Sequence, residues 1–185
     1  MHVSNAFVNG EKTGFIEEQI YNNIKLNWKR KYDEILQLNK RDLLKQSTEI
    51  MLPFSNSYSF TKRMAEHLLI EQNTQNIPIT FIRPTIIGAA AEEPCIGWTD
   101  SLGLMTGASI LIGLGILKDM KCNENSIVDV IPVDFVSKQI LVQTAYASQV
   151  FKESQGQNNY FLTHAGTSSV NPVNWRYFYE SLISY

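Results

Sequence analysis

Residues 53–88 read PFSNSYSFTKRMAEHLLIEQNTQNIPITFIRPTIIG, and this stretch joins a helical pattern to a strand pattern. Asn56 belongs to the residue types that cap helix amino termini, and the spacing of the residues after it predicts a helix over residues 57–72. The run from Ile79 to Arg83 is β-branched and aromatic and is closed by Pro84, which indicates a buried strand. A helix that leads directly into a buried strand is typical of an α/β domain.

The rest of the chain continues this alternation, so we predict an α/β fold with parallel strands joined by helices. Its 185 residues, 44% of them hydrophobic, suit one domain with its own core. The other predicted elements are a strand end running into a loop at Met1–Phe7, one or two amphipathic helices within Tyr32–Leu52, a strand at Ser126–Val133, a helix capped by Asp134 and continuing through Ala147, a polar surface linker at Lys152–Asn158 and a last strand at Asn159–Thr163.

Composition argues against several classes of function. Sixteen Lys and Arg against eighteen Asp and Glu give a formal charge of −2, so no overall field favours nucleic acid. Neither the two cysteines nor the three histidines have ligand spacing, so we expect reduced thiols and no metal site. The first residues do not resemble a secretory signal, so an intracellular protein is expected, with no preference among the cytoplasm, the peroxisome and the endoplasmic-reticulum surface.

The segment from Leu104 to Met120 is apolar but is interrupted by polar residues. Its apolar length falls well below the roughly 20 residues of a membrane span, so we predict a buried or interfacial helix. Trp98 and residues 104–117 could face an acyl chain or a peripheral membrane surface, although core packing is the favoured interpretation.

Tyr58 and Lys62 are the residues that carry chemistry. They lie four apart on the predicted helix, so their side chains share one face. A phenol has a pKa of about 10 and is a poor acid or base at neutral pH, but a neighbouring ammonium favours the phenolate. The pair is therefore suited to proton transfer, although the same spacing also occurs by chance on exposed helices.

Several segments follow one another in an order that points to one family. The strongest are NSYSFTKRMAE at residues 56–66 and EPCIGWTD at residues 93–100. The others are HVSNAF (2–7), IEEQIY (16–21), IRPTIIG (82–88), DVIPVD (129–134) and NPVNW (171–175). Together they resemble the fatty acyl-CoA reductase, or male-sterility, branch of the short-chain dehydrogenase/reductase superfamily.

The resemblance implies that residues 1–185 form the carboxyl-terminal part of a single Rossmann-type reductase domain, with a mostly parallel sheet that lacks its amino-terminal strands. It implies reduction of a long-chain acyl-CoA by NADPH to an aldehyde or an alcohol. Tyr58 would protonate the developing alkoxide, and Lys62 would hold the ribose hydroxyls of the cofactor. The residues expected to lie against the nicotinamide are Pro84, Thr85, Ile86 and Ile87.

A third group normally fixes the carbonyl oxygen, and the family's Ser-Thr dipeptide appears here as Ser4-Asn5. Ser4 could supply its hydroxyl, Asn5 could donate its amide, or neither could work in an impaired site. All three alternatives stay open. Arg83 could likewise meet a cofactor phosphate or form a structural salt bridge.

The superfamily binds the cofactor's pyrophosphate at a glycine-rich turn after its first strand. No close glycine pair of this chain follows a predicted strand with the required spacing, and we interpret Gly113-Leu114-Gly115 as helix packing or a bend. We therefore expect weak NADPH binding by this chain alone and association with another chain that completes the sheet.

Two other functions remain open. The chain could be a degenerate reductase fragment that serves as a structural or binding subunit. It could also belong to another extended short-chain dehydrogenase/reductase, such as a sugar-nucleotide epimerase or a hydroxysteroid-type dehydrogenase. The segment from Gly97 to Asp100 argues against the latter.

Overall fold

A computed structural model of the chain describes residues 1–75, 77–153 and 160–184. Most of the predicted linker at Lys152–Asn158 and the first residue of the strand predicted at Asn159–Thr163 lie outside these ranges. The chain forms two compact units. The first unit comprises Met1–Arg83 and Thr144–His164, and the second comprises Pro84–Gln143 and the segment from Ala165 onward.

A short sheet forms the centre of the first unit. Its strands are β1 (His2–Val3), β2 (Ile79–Pro84) and β5 (Tyr160–Ala165), in the order β1-β2-β5. β1 and β2 are parallel, with His2 opposite Phe81 and Val3 opposite Ile82. Phe81 and Ile82 are fully buried, which confirms the buried strand expected from their β-branched and aromatic sequence.

Three α-helices of the first unit begin at asparagine caps. α1 (Trp28–Gln37), α2 (Lys40–Met51) and α3 (Ser57–Glu71) follow Asn27, Asn39 and Asn56, and each asparagine Oδ1 accepts a backbone N–H three residues further on. The helix predicted over residues 57–72 is confirmed. The region Tyr32–Leu52 contains two helices, the first of which begins one turn earlier than predicted, at Trp28.

The helices of this unit enclose an aromatic core. Trp28, Phe54 and Phe60 pack edge to face or tilted, and Met64 and Ile50 complete the cluster. These side chains come from α1, α2, α3 and the turn before α3, so burying them fixes the helices relative to one another. Between β1 and α1, a single 3-10 helix covers Ala6–Asn9.

The second unit contains its own pair of parallel strands. β3 (Ile86–Gly88) runs beside β4 (Val130–Pro132), with Ile86 opposite Val130 and Gly88 opposite Pro132. Gly88 is needed there because a Cβ would lie 2.8 Å from Val130 Cγ1. Parallel pairing in both units confirms the α/β architecture predicted from the sequence.

The remaining helices include one that the sequence did not reveal. α4 (Leu104–Gly113) packs against β3 and against α6 (Trp175–Ile183), and α5 (Val133–Glu153) begins in this unit. We did not predict α6. No helix within the described ranges is long and apolar enough to cross a lipid bilayer.

Two predictions about this unit need correction. The strand predicted at Ser126–Val133 is confined to Val130–Pro132, because Ile127 instead forms an isolated antiparallel bridge with Asn174. Asp134 is not a helix cap, because α5 already begins at Val133. Its carboxylate instead accepts backbone N–H groups from residues 91, 92 and 93.

The apolar segment 104–120 is helical only as far as Gly113. Gly115 has a φ of +67°, which confirms the bend interpretation of the glycine pair. Met105 and Ile112 are buried, but Leu104, Leu114 and Ile116 are mostly exposed. Core packing is therefore the wrong interpretation for much of this segment.

Candidate active site

The predicted pair Tyr58 and Lys62 lies on the first two turns of α3, in the first unit. Asn56 caps this helix, with its Oδ1 2.8 Å from the Ser59 amide nitrogen. Tyr58 is 56% exposed, so its phenol is open to a ligand. Lys62 Nζ donates to the Val3 carbonyl at 2.9 Å, which places the ammonium at the carboxyl end of β1. Open α/β sheets bind their ligands at this end of the strands.

Ser4 and Asn5 follow directly after that carbonyl. The Ser4 amide donates to the Ile82 carbonyl at 2.8 Å, so the residue is fixed on the neighbouring strand. Asn5 Oδ1 accepts the Phe7 amide at 2.7 Å and caps the 3-10 helix. Both side chains are almost completely buried, yet within the described structure Ser4 Oγ and Asn5 Nδ2 have no hydrogen-bond partner. Buried polar atoms are rarely left in this state, so they are candidates for binding an added polar group.

Arg63, the neighbour of Lys62, anchors the loops that flank these residues. Its guanidinium is fully buried and lies 3.8 Å from the Glu11 carboxylate. It donates to Val8 O, Asn9 Oδ1, Tyr21 O, Asn23 Oδ1 and His67 Nε2. Burial lowers the pKa of Arg63, while Glu11 and Glu66 oppose this effect. One side chain thus holds the segment after Asn5 against α3.

A second buried arginine joins α3 to β2. Arg83 Nε and Nη2 donate to the two carboxylate oxygens of Glu66 at 2.8 and 2.7 Å, and neither side chain is exposed. Arg83 Nη1 also donates to the Gln19 carbonyl at 3.1 Å. Of the two roles considered for Arg83, the structure has the structural salt bridge. The bidentate geometry fixes the helix of Tyr58 and Lys62 on the sheet.

His67 lies beside Arg63 on the buried face of α3. Its ring stacks on Trp28 with 4.9 Å between centroids. Burial, followed by the nearby Arg63 charge, lowers the pKa of His67 to about 4. A neutral imidazole can accept the Arg63 Nε–H at 3.1 Å, so this histidine has a structural role near neutral pH.

The four residues expected beside the nicotinamide lie in the second unit. Pro84 is buried, Thr85 and Ile86 are half-buried, and Ile87 is exposed. The amides of Thr85 and Ile86 donate to the carbonyls of Ala165 and Asp129, at 2.8 and 3.1 Å. The common crevice predicted for this segment and the Tyr58 pair stays a prediction.

The Asp129 carboxylate holds the turn that follows β5. It accepts the amides of Thr167 and Ser168 at 2.8 and 3.3 Å. Burial raises the pKa of Asp129, but hydrogen bonds from the Ser168 side chain, the Thr167 amide, the Thr85 side chain and the Ser168 amide outweigh it and leave the pKa below its ordinary value. Gly166 allows the close approach, since a Cβ there would lie 2.7 Å from Thr85 Cγ2.

Comparison with known proteins assigns a family to this arrangement. Residues 1–140 match the sequence pattern of an NAD-binding family described as male sterility protein. The chain belongs to this family. The male sterility assignment confirms the resemblance carried by the motifs, and a nicotinamide cofactor is the ligand that the family name indicates.

The relatives of this male sterility family member are named as reductases. The chain is 30% identical to probable fatty acyl-CoA reductase 5 of Arabidopsis thaliana, over 100% of the chain and 40% of the relative. It is 31% identical to alcohol-forming fatty acyl-CoA reductase of Simmondsia chinensis, over 94% of the chain and 38% of the relative. Fatty acyl-CoA reductase 1 of Xenopus laevis is 32% identical over 65% of the chain and 22% of the relative. The chain thus spans less than half the length of these relatives.

The sequence motifs of the male sterility family also contain residues that fix α3 on the sheet and the flanking loops, a role that we did not predict. Arg63, Glu66 and His67 have the i, i+3, i+4 spacing of one helix face, and Phe60 and Met64 flank them. Charged residues on the apolar face of a helix are a signal of buried ion pairs. Lys62 does not belong to this buried face, because it lies on the neighbouring, more exposed face of α3.

Proposed function

We propose that this chain carries the acid and the ribose-binding lysine of an NADPH-dependent reductase for long-chain fatty acyl-CoA. The product would be an aldehyde or an alcohol. The substrate class follows the names of the relatives, and residues 1–185 would be part of a single reductase domain. One observation carries the proposal: Lys62 reaches the carboxyl end of β1 beside a buried Ser4 hydroxyl that has no partner within the described structure.

The donor set of the first unit fits the reacting end of a nicotinamide cofactor. Lys62 is a cation at the strand end, where a ribose hydroxyl could take over the hydrogen bond now accepted by Val3. Ser4 Oγ and Asn5 Nδ2 are unpartnered polar atoms within the described structure, beside that strand end. A bound NADPH would supply the hydride. Residues Pro84–Ile87 are proposed to lie against its nicotinamide ring.

Tyr58 is proposed as the proton donor. Hydride addition to the thioester carbonyl gives an alkoxide-like oxygen, and a phenol O–H can protonate it to a hemithioacetal. Breaking the C–S bond of this hemithioacetal would release coenzyme A as the free thiol and leave the aldehyde, and a second hydride from another NADPH with a second proton would give the alcohol. Lys62 lies one turn further along the same face of α3, so both side chains can meet one ligand. Exposure of Tyr58 lets its hydroxyl reach a substrate without a rearrangement of α3.

Ser4 is the better candidate for the third group. Asn5 already uses its Oδ1 to cap the 3-10 helix, so its amide plane is fixed by the backbone. Ser4 Oγ has no such commitment within the described residues. We therefore assign the carbonyl-holding hydrogen bond to Ser4 and a positioning role to Asn5.

The test is Tyr58→Phe, with Tyr32→Phe as the matched control. Tyr32 is an exposed tyrosine on α1 of the same unit. NADPH consumption with palmitoyl-CoA should fall by about 10²-fold or more in Tyr58→Phe, because general acid catalysis contributes this much, and NADPH affinity should stay within twofold. The control should keep full turnover.

Other outcomes would decide between the alternatives. Unchanged turnover in Tyr58→Phe would remove this tyrosine from the mechanism. No NADPH consumption by the unmodified protein, with any acyl-CoA, would favour the degenerate fragment that serves as a binding subunit.

A further inference from the structure

His2 carries a buried nitrogen that the proposed mechanism does not use. Its Nε2 atom is buried and has no hydrogen-bond partner within the described residues, and the same is true of Ser4 Oγ. The His2 ring itself is held in place, because it packs edge to face on Phe81 with 5.7 Å between centroids. A buried polar atom without a partner costs stability, so His2 is a candidate for a functional contact.

The first strand places His2 and Ser4 on one face of the sheet. The Ser4 amide donates to the Ile82 carbonyl at 2.8 Å, so the extended pairing of β1 continues through Ser4. Alternate residues of an extended strand point to the same face and are spaced by about 6.6 Å along it. Val3, between the two, is 40% exposed, whereas Ser4 is 3% exposed. The two unpartnered atoms therefore belong to the same side of one strand.

His2 is uncharged near neutral pH. Burial, followed by the Lys62 charge, lowers the pKa of His2 from its ordinary value of 6.5. The amino group of Met1 acts in the same direction, and the Glu66 carboxylate opposes both cations. A neutral imidazole has one N–H and one lone pair, so Nε2 can be a donor or an acceptor.

The chemistry assigned to Ser4 selects the donor form of His2. A hydroxyl has a single proton, and Ser4 must direct it to the substrate carbonyl in order to hold that oxygen. The group that fixes the hydroxyl from behind must then donate to Oγ. A donor in this place also strengthens the hydrogen bond to the carbonyl, because linked hydrogen bonds polarise one another.

We propose that His2 is a positioning residue that directs the Ser4 hydroxyl toward the substrate carbonyl. The Nε2–H of His2 donates to Ser4 Oγ through one bridging water. A water is needed because the spacing along the strand exceeds a direct hydrogen bond, and a bridging water is nearly as favourable as a direct contact. The inference rests on the proposed function for the role of Ser4, and on the strand geometry for the link between the two residues.

A double-mutant cycle separates this role from a structural one. His2→Phe keeps a ring against Phe81 but removes the donor. It should lower kcat about tenfold (~1.4 kcal/mol) with KM little changed, as expected for the loss of one hydrogen bond that tightens in the transition state. In a Ser4→Ala background the same substitution should change kcat by less than about twofold. His2→Gln supplies an N–H and should retain most of the turnover.

His164→Phe is the matched control for the cycle. His164 lies in β5, which β2 separates from β1. Its ring contacts Arg83, so the substitution can lower kcat through α3, but by the same factor with and without the Ser4 hydroxyl. An equal factor for His2→Phe in both backgrounds would reveal a purely structural effect and overturn the proposal.

NMR of the chain with isotope-labelled histidine tests the link without turnover. The chain has three histidines, and His2→Phe identifies the signals of His2. Nε2 should have the chemical shift of a protonated ring nitrogen, and Ser4→Ala should move it while leaving the signals of His67 and His164 in place. An unprotonated Nε2, or one that Ser4→Ala does not move, would sink the proposal.

The two readouts also separate this inference from the proposed function. If Ser4→Ala moves the Nε2 signal but the chain consumes no NADPH with any acyl-CoA, the link between His2 and Ser4 stands and the reductase function fails. If the chain consumes NADPH but the signal does not move, only the role of His2 fails.

Discussion

The buried pair of Glu66 and Arg83 gives the sharpest prediction about stability. Glu66→Gln keeps the side-chain volume but removes the charge that faces a fully buried guanidinium. Breaking a buried ion pair on one side costs about 3–5 kcal/mol. Arg83 retains the Gln19 carbonyl, and a glutamine oxygen can still accept one hydrogen bond, so we expect the lower end, about 3 kcal/mol.

Urea unfolding, followed by the fluorescence of Trp28, measures this loss in the first unit. The variants are made in a background in which Trp98 and Trp175 are phenylalanine, so that only the core tryptophan reports. With a slope of about 1–3 kcal/mol per molar for small proteins, the midpoint should fall by at least about 1 M. Lys29→Ala is the matched control, because its ion pair with Asp33 is half exposed and contributes less than about 1 kcal/mol.

Replacing both partners by apolar residues, as in Glu66→Leu with Arg83→Met, removes the unpaired charge and should recover part of the stability lost in Glu66→Gln. If Glu66→Gln is no more harmful than Lys29→Ala, the pair does not fix α3 on the sheet, and the argument for its support role is refuted.

Three other predictions concern the site and its surroundings. Ser4→Ala should lower turnover more than Asn5→Ala does once each rate is corrected for the folded fraction, and the opposite order in an NADPH consumption assay would move the carbonyl-holding role to Asn5. His67 has a folded-state pKa of about 4 and an ordinary value of 6.5, so its stabilisation is complete above pH 6.5 and is lost as the pH falls toward 4, by about 3 kcal/mol. Urea midpoints from pH 7 to pH 4 test this, and His67→Gln should flatten the profile. Gly166→Ala should destabilise the second unit by about 1–3 kcal/mol because its Cβ would meet a side chain at 2.7 Å, whereas Gly113→Ala meets nothing within 4 Å and should be harmless by thermal unfolding.

Local signals explain which elements could be predicted from the sequence. The helix predicted over residues 57–72 follows a capping asparagine, and the strand predicted over residues 79–83 is closed by a proline. Each segment also has the residue pattern typical of its element, and both elements are confirmed. α6 was missed because its motif, NPVNW, was assigned only to the family resemblance. Asn174 nevertheless caps this helix in the same way as Asn56 caps α3, with Oδ1 2.8 Å from the Tyr177 amide nitrogen.

Long-range partners explain what could not be predicted. Asp134 resembles a cap in sequence, but the amides that it accepts belong to a loop more than forty positions away. Ile127 has the β-branched side chain of a strand residue, but its bridge partner, Asn174, lies just before α6. In both cases a residue type that favours one local structure is used by a distant segment instead.

The candidate site shows the same difference. Some of its residues have a spacing that indicates a chemical role, whereas the role of others depends on partners that are distant in the sequence. Tyr58 and Lys62 were singled out because their spacing places them on one helix face and the segments around them resemble those of a reductase family. The partners of Arg63 and Arg83 were not predicted, because a buried arginine is recognised only by the oxygens around it, and these come from the 3-10 helix, from loops and from Glu66. Tyr58 and Lys62 can face solvent because two buried guanidiniums, and not their own packing, fix the helix that carries them. Substitutions at the arginines should therefore lower activity by displacing α3, with loss of stability, whereas Tyr58→Phe should lower activity with stability retained.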